Sequence, residues 1–235
     1  MPLTTHDSPE ASEAPEVLDR REGPYGEVVL RRHGTLLQII ANGCFLMDTS
    51  DGRSERRLVD AAADALTASG GRTAPHLLIG GLGVGFSLAH AAADPRWGRI
   101  AVVERERAII DWHRAGPLAA LSADALADPR TEIVEADLVG YVNETSDTYD
   151  ALCLDIDNGP GWTVTEGNDG LYAPSGLAGC ARLLRPGGVL AVWSAQPSPE
   201  FEETLRNAGF QQVRTEEIPV ARGVPDVVHI GVGPG

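Results

Sequence analysis

From residue 77 onward, apolar positions come in short runs that end at a glycine or a polar side chain. Leu77-Leu78-Ile79 leads into Gly80-Gly81-Leu82-Gly83-Val84-Gly85, and Ile100-Ala101-Val102-Val103 stops at Glu104. Leu152-Cys153-Leu154 stops at Asp155, and the run 189–193 ends at Trp193-Ser194. Runs of this length, bounded by turn residues, predict strands buried on both faces, the habit of a parallel sheet. A fifth strand is expected at 131–135, followed by the acid Asp137. Between the runs, apolar residues recur at helical spacing. They predict helices over 84–93, 106–115, 117–126 and 171–184, the last starting after Pro174. Strand alternating with helix predicts an α/β domain.

The flanks read differently. Residues 1–20 are polar, with Pro2, Pro9 and Pro15 among acids, and predict a disordered tail. Short runs at 26–30, 36–40 and 44–48 are separated by Arg31-Arg32-His33-Gly34 and by Ala41-Asn42-Gly43. Asn-Gly favours a tight hairpin turn, so 21–53 is expected to be a small β-hairpin or meander, serving as decoration, lid or dimer edge. A helix over 54–69 follows, with Ser54 as its cap and Gly70-Gly71 as its end. Residues 137–149 are polar and predict a loop or short helix, and 156–170 a long loop of the kind that forms binding edges. At the far end, a helix at 199–208 and strands at 212–218 and 226–232 predict an antiparallel return. The chain therefore divides into a tail (1–20), a β region (21–53) and a main α/β domain (54–235).

Composition narrows the chemistry. The chain has 19 basic and 34 acidic residues, a net charge of −15, and every basic residue is an arginine. Without lysine there is no Schiff base or lysine nucleophile, and the charge argues against a nucleic-acid partner. Three cysteines without metal spacing fit a reducing, cytoplasmic setting. No apolar run reaches membrane-spanning length, so no membrane association is expected. His76, His90 and His113 form no ligand set, His76 reading as structural and the other two as exposed helix positions. No metal is expected.

In open α/β sheets, ligands bind beyond the carboxyl ends of the strands. The Gly80-Gly81-Leu82-Gly83 turn lets main chain approach a ligand at a helix start, and Glu104, one strand on, is spaced to accept both hydroxyls of a ribose. Asp137 is expected either to accept from the amine of a base or to cap a loop; the neighbours Arg105 and Leu138 join the cofactor set. Asp155 is the first choice for chemistry, with Asp157 and Tyr172 beside it. Asn158, Trp162, Tyr172, Trp193 and Ser194 are the expected substrate contacts.

At these residues the chain resembles class I S-adenosylmethionine-dependent methyltransferases, and more closely their spermidine synthase-like branch. The resemblance covers about 75–194. It rests on His76 to Gly85, on Val102-Val103-Glu104, on Glu135-Ala136-Asp137 and on Tyr149 to Asp155. Leu171-Tyr172-Ala173-Pro174 and Leu183-Leu184-Arg185-Pro186-Gly187-Gly188 add to it. It implies a Rossmann-like methyltransferase fold: a mostly parallel seven-stranded sheet with an antiparallel C-terminal strand, beside the small N-terminal β region. It further implies S-adenosylmethionine or decarboxylated S-adenosylmethionine as cofactor, a small-molecule substrate, and an enzyme compatible with a homodimer. In that branch an aspartate at the place of Asp155 helps deprotonate the attacking amine. The sequence departs from the polyamine enzymes where Asn158 replaces their second aspartate, and the tyrosine-histidine-glutamate motif has no counterpart near Leu58-Val59-Asp60. The glutamine after their fifth strand is replaced around Trp193-Ser194. Besides aminopropyl transfer, the expected reactions are methyl transfer and intramolecular cyclisation or elimination of the aminobutyrate chain. The rival is a non-catalytic nucleoside-binding module.

Overall fold

A computed structural model describes residues 14–156, 158–161, 163, 167–220 and 223–234. Four strands open it: β1 Glu16–Gly23, β2 Gly26–His33, β3 Leu36–Ala41 and β4 Cys44–Asp48. They form an antiparallel sheet in the order β1-β2-β3-β4. β1 lies partly inside the stretch expected to be disordered. It holds no buried residue, but β2 offers it a ladder from Glu16↔Arg32 to Gly23↔Gly26, broken by one register shift between Val17 and Asp19. Backbone pairing with a neighbour orders a segment whose own side chains would not.

α1 (Arg53–Ala68) crosses to the second sheet, burying Leu58, Val59, Ala62, Ala65 and Leu66. Its N-cap is Gly52 without a side-chain cap, and Ser54 lies inside the helix, correcting the expected capping role. Next come β5 (His76–Gly80), α2 (Phe86–Ala93), β6 (Arg99–Glu104), α3 (Arg107–Ala115), α4 (Ala119–Ala127) and β7 (Thr131–Glu135). The polar stretch 137–149 holds α5 (Leu138–Glu144), ahead of β8 (Tyr149–Leu154). The helix expected at 171–184 is divided: α6 (Asp169–Tyr172) ends before Pro174, which opens α7 (Pro174–Leu183) as a first-turn proline. β9 (Leu184–Ser194), α8 (Pro199–Asn207), β10 (Gln211–Ile218) and β11 (Asp226–Val232) complete the chain. Arg185 to Gly188 lie within β9 as a bulge, since Tyr149 pairs Leu184 while Ala151 already pairs Val189.

The seven strands run β10-β11-β9-β8-β5-β6-β7. β5 to β9 are mutually parallel, and β11 is antiparallel to both β9 and β10. Side chains alternate between two cores. Leu77, Ile79, Ala151 and Cys153 face α1 and the N-terminal sheet, whereas Leu78, Leu152 and Leu154 face α5 and α7. Burial of each large aliphatic stabilises by about 1.5–3 kcal/mol, so both faces hold the sheet. The chain winds outward from β5 through β6 to β7, and then returns to the other side of β5 as β8 and β9. That reversal opens a crevice at the carboxyl ends of β5 and β8.

Candidate active site

The crevice is a cavity of about 220 Å³. Its floor is the glycine turn after β5. Gly81 has φ +94°, and a Cβ there would run into the Asp155 carbonyl; Gly83 has φ +51° and lies under Met47. Only glycine satisfies both the left-handed backbone and the close approach. Gly81 and Gly83 line the cavity, whereas Gly80 packs against Leu138 and Leu82 is buried beneath the turn. His113 supports the turn from behind, its ring nitrogens 2.7 Å from Ser122 Oγ and 2.9 Å from Gly83 O. It is fully buried, correcting the exposed helix position expected for it, and burial lowers its pKa, favouring the neutral imidazole. His76 donates its backbone N–H to Asp150, and half-buried His90 meets Asp60 at 2.8 Å.

Glu104 ends β6 buried, with a cavity-facing carboxylate. Oε2 accepts the Leu82 N–H at 3.0 Å and Oε1 the Glu106 N–H at 2.8 Å. Burial raises its pKa against the pull of those two donors. Each oxygen retains a second lone-pair direction, so the pair can still take two hydroxyls. Arg105 also lines the cavity, 4.5 Å over the Tyr25 ring. Asp137 fulfils the capping alternative: Oδ2 takes the Gly140 N–H at 2.9 Å as the N-cap of α5. It nonetheless lines the cavity beside Leu138.

Asp155 is fixed by its N–H to Gly80 O at 2.9 Å and accepts the Ser87 hydroxyl on Oδ2 at 3.1 Å. Trp193 lines the same end, with Nε1 3.4 Å from Asp226 Oδ2. Three other expected contacts are not on the cavity wall. Tyr172 is buried edge-on against Phe201 with its hydroxyl 3.4 Å from Ile156 O. Ser194 is buried and donates to Gln196 O at 2.8 Å. Asn158 accepts the Ala195 N–H through its backbone. Asp157 and Trp162 lie outside the described residues. A second buried aspartate, Asp150, stands at the opposite end of β8, where Oδ2 takes the His76 N–H and Arg185, and Oδ1 is 2.9 Å from Arg72. It ties strands together away from the cavity.

Sequence reasoning missed Glu55 and Asp226. Glu55 sits on the first turn of α1 and lines the cavity. Asp226, the first residue of β11, lines it too and accepts the Ser54 hydroxyl at 2.7 Å. The signal for Asp226 was present: a strand running antiparallel begins where its parallel neighbours end. Burial, with the charges of Asp155 and Asp226, pushes Glu55 up to about 8. Burial first, then Asp226, pushes Asp155 up to about 6, opposed by the Ser87 hydrogen bond. The N-terminal sheet adds an aliphatic part of the wall, with Val28, Ile39, Leu46 and Met47, and Asp51 and Glu106 add two further carboxyl groups. Met47 Sδ accepts the Val84 N–H at 3.3 Å. Among the described residues, no group of His, Cys, Asp and Glu is arranged to hold a metal, and no helix is long and apolar enough to cross a membrane.

No family model matches the chain. Among curated proteins, polyamine aminopropyltransferases of Shigella flexneri and Escherichia coli are 32% identical over 134 residues, 56% of this chain. That of Shigella sonnei is 33% identical over the same length. The match spans 44% of these relatives' length. A solved spermidine synthase in complex with the transition state analogue AdoDATO superposes with a TM-score of 0.74 at 18% identity, covering 92% of this chain and 73% of that one. Spermidine synthase from Thermotoga maritima gives 0.70 at 17%, covering 94% and 73%. The chain thus shares the fold of the solved spermidine synthases and is similar in sequence, over 134 residues, to polyamine aminopropyltransferases.

Proposed function

We propose that the protein is an enzyme that binds S-adenosylmethionine or its decarboxylated form and transfers a group from it to a small-molecule amine, with Asp155 orienting or deprotonating the acceptor. One observation carries the reading: Gly81, Gly83, Glu104, Asp137 and Asp155, drawn from four strand ends, line one cavity. The residues fit an adenosyl ligand. Gly81 and Gly83 bring main chain to the cavity wall, Glu104 has lone pairs for two hydroxyls, and Asp137 Oδ1 is not used by the cap. Such a ligand supplies a carbon activated by an adjacent sulfonium, so the protein's share is alignment, charge and proton transfer.

Charge favours the decarboxylated form. Seven carboxylates and one guanidinium, Arg105, line the cavity, and Arg105 lies at the Glu104 end. A ligand carboxylate at the other end would meet Asp155 and Asp226 with like charge, whereas an ammonium or sulfonium is attracted. Asp155, held by Ser87, accepts a hydrogen bond from the acceptor nitrogen. The Trp193 indole and the aliphatic N-terminal sheet restrict water around it. The test is incubation with each form of the cofactor, with and without a panel of aliphatic amines, followed by mass analysis. Methylthioadenosine together with an enlarged amine is the expected product pair from the decarboxylated cofactor. S-adenosylhomocysteine would identify methyl transfer. Methylthioadenosine formed without any amine would identify intramolecular chemistry, and the absence of any adenosyl product would refute the reading.

A further inference from the structure

We propose that Glu55 is the group that takes the acceptor's proton, and that Asp155 serves as an anchor for the acceptor; this rests on the transfer reading above. Three carboxylates reach the same end of the cavity from three elements: Glu55 from α1, Asp155 from the end of β8 and Asp226 from the start of β11. Their hydrogen bonding differs. Asp155 takes the Ser87 hydroxyl, and Asp226 takes the Ser54 hydroxyl and the Trp193 N–H. Glu55 receives no side-chain donor among the described residues and meets only its own backbone N–H. Donors that hold a carboxylate's charge make it a better anchor and a weaker base. The carboxylate left without them is the one that gains most from a proton.

The groups around Glu55 strengthen the assignment. Asp155 and Asp226 face it with like charge from β8 and β11, and Ser87 of α2 is engaged with Asp155. Arg56, its guanidinium 5.4 Å over the Phe86 ring, opposes the shift only weakly. The outcome is a carboxyl at about 8 beside one at about 6. An alkylammonium loses its proton near 10, so the carboxyl whose pKa is raised more strongly is the closer match to it.

The step balances. One proton of the acceptor ammonium passes to the Glu55 carboxylate, leaving a neutral amine. The nitrogen lone pair forms the new N–C bond, the C–S bond breaks with its electron pair going to sulfur, and the product leaves as a secondary ammonium. Glu55 then returns its proton to solvent. In the empty site Glu55 holds a proton at neutral pH, and the arriving cation expels it.

Calorimetric titration of the methylthioadenosine-loaded protein with 1,4-diaminobutane at pH 7, in two buffers of different ionisation enthalpy, reads that proton directly. Release approaching one proton per bound amine is expected. Glu55→Gln should abolish the release with less than a tenfold change in Kd. Asp155→Asn should weaken amine binding more than tenfold, while the amine that binds still expels a proton. In turnover, Glu55→Gln should lower kcat by 10²–10⁴-fold at nearly unchanged KM. Glu55→Asp should recover part of both signals. Release that persists in Glu55→Gln, or that vanishes only in Asp155→Asn, assigns the proton to Asp155 and overturns the inference. Methylthioadenosine binding, measured first, separates the two levels. Failure there removes the transfer reading itself, whereas nucleoside binding without amine-linked proton release removes only the role of Glu55.

Discussion

Removing the Glu104 carboxylate tests the nucleoside half of the site. In Glu104→Ala the buried N–H groups of Leu82 and Glu106 lose their acceptors at 3.0 and 2.8 Å. A buried donor left unsatisfied costs about 1–3 kcal/mol, so the pair costs roughly 2–6. Loss of a buried charge returns part of this, since burial holds the Glu104 pKa up. A net destabilisation of about 2 kcal/mol lowers Tm by roughly 4–8 °C in a chain of this size. Ligand binding should suffer more. Two hydroxyls bonded to an ionised carboxylate contribute about 1.5–3 kcal/mol each, so methylthioadenosine should bind at least 10²-fold more weakly. Glu104→Gln, which keeps one acceptor oxygen, should fall between. Differential scanning fluorimetry and calorimetric titration read the two effects separately. Unchanged nucleoside affinity in Glu104→Ala would refute the ribose role, and an unchanged Tm would show that the carboxylate does not hold the turn.

Three further outcomes follow from the same geometry. Glu55 and Asp155 have folded pKa values above their unfolded ones, so the folded chain holds protons that the unfolded chain gives up. Their stabilising contribution is complete below about pH 4 and is lost as pH rises through about 6 for Asp155 and about 8 for Glu55. The ligand-free protein should therefore lose on the order of 5 kcal/mol between pH 5 and 9, and Glu55→Gln should flatten the upper half of the decline; parallel Tm curves for the two proteins would contradict the burial assigned to Glu55. Gly81→Ala forces a left-handed alanine whose Cβ meets the Asp155 carbonyl, and should cost about 3 kcal/mol in urea unfolding and abolish methylthioadenosine binding. Asp150→Asn should destabilise by about 1–3 kcal/mol, because Arg72 and Arg185 lose a buried partner, with nucleoside affinity unchanged; a loss of affinity would place Asp150 in the site.

The parallel part of the sheet was legible because its strands share an edge. Once the runs before Gly80, Glu104, Asp137 and Asp155 are read as neighbouring parallel strands, their terminal residues must converge, and all but the packing glycine Gly80 line the cavity. Direction made the difference for Asp226, whose strand runs the opposite way, so its first residue reaches the edge that others reach with their last. Glu55 was hidden by helix register. With Gly52 as N-cap, the first turn begins at Arg53, which puts Ser54 against Asp226 and Glu55 on the cavity. Tyr172 and Ser194 were expected at the ligand from their position in sequence, but each hydroxyl is engaged with a nearby backbone carbonyl. β1 was unreadable for another reason. Its order comes from the pairing edge of β2 and from Asp19 and Arg21, which reach Trp112 and Asp111 of α3, rather than from apolar content of its own.

The N-terminal sheet and the large sheet have independent hydrogen-bond ladders, yet each supplies one side of the cavity. Leu46, half-buried on this side, can therefore change size without disturbing the strand pairing that positions Glu104 or Asp155, whereas Val28 and Ile39 belong to the core shared with β5 and Met47 also holds the Val84 N–H. Under the transfer proposed above, such an arrangement would let acceptor preference change at the N-terminal sheet while the glycine turn and Glu104 stay in place. Among related chains, variation in which amine is accepted should concentrate at the position of Leu46.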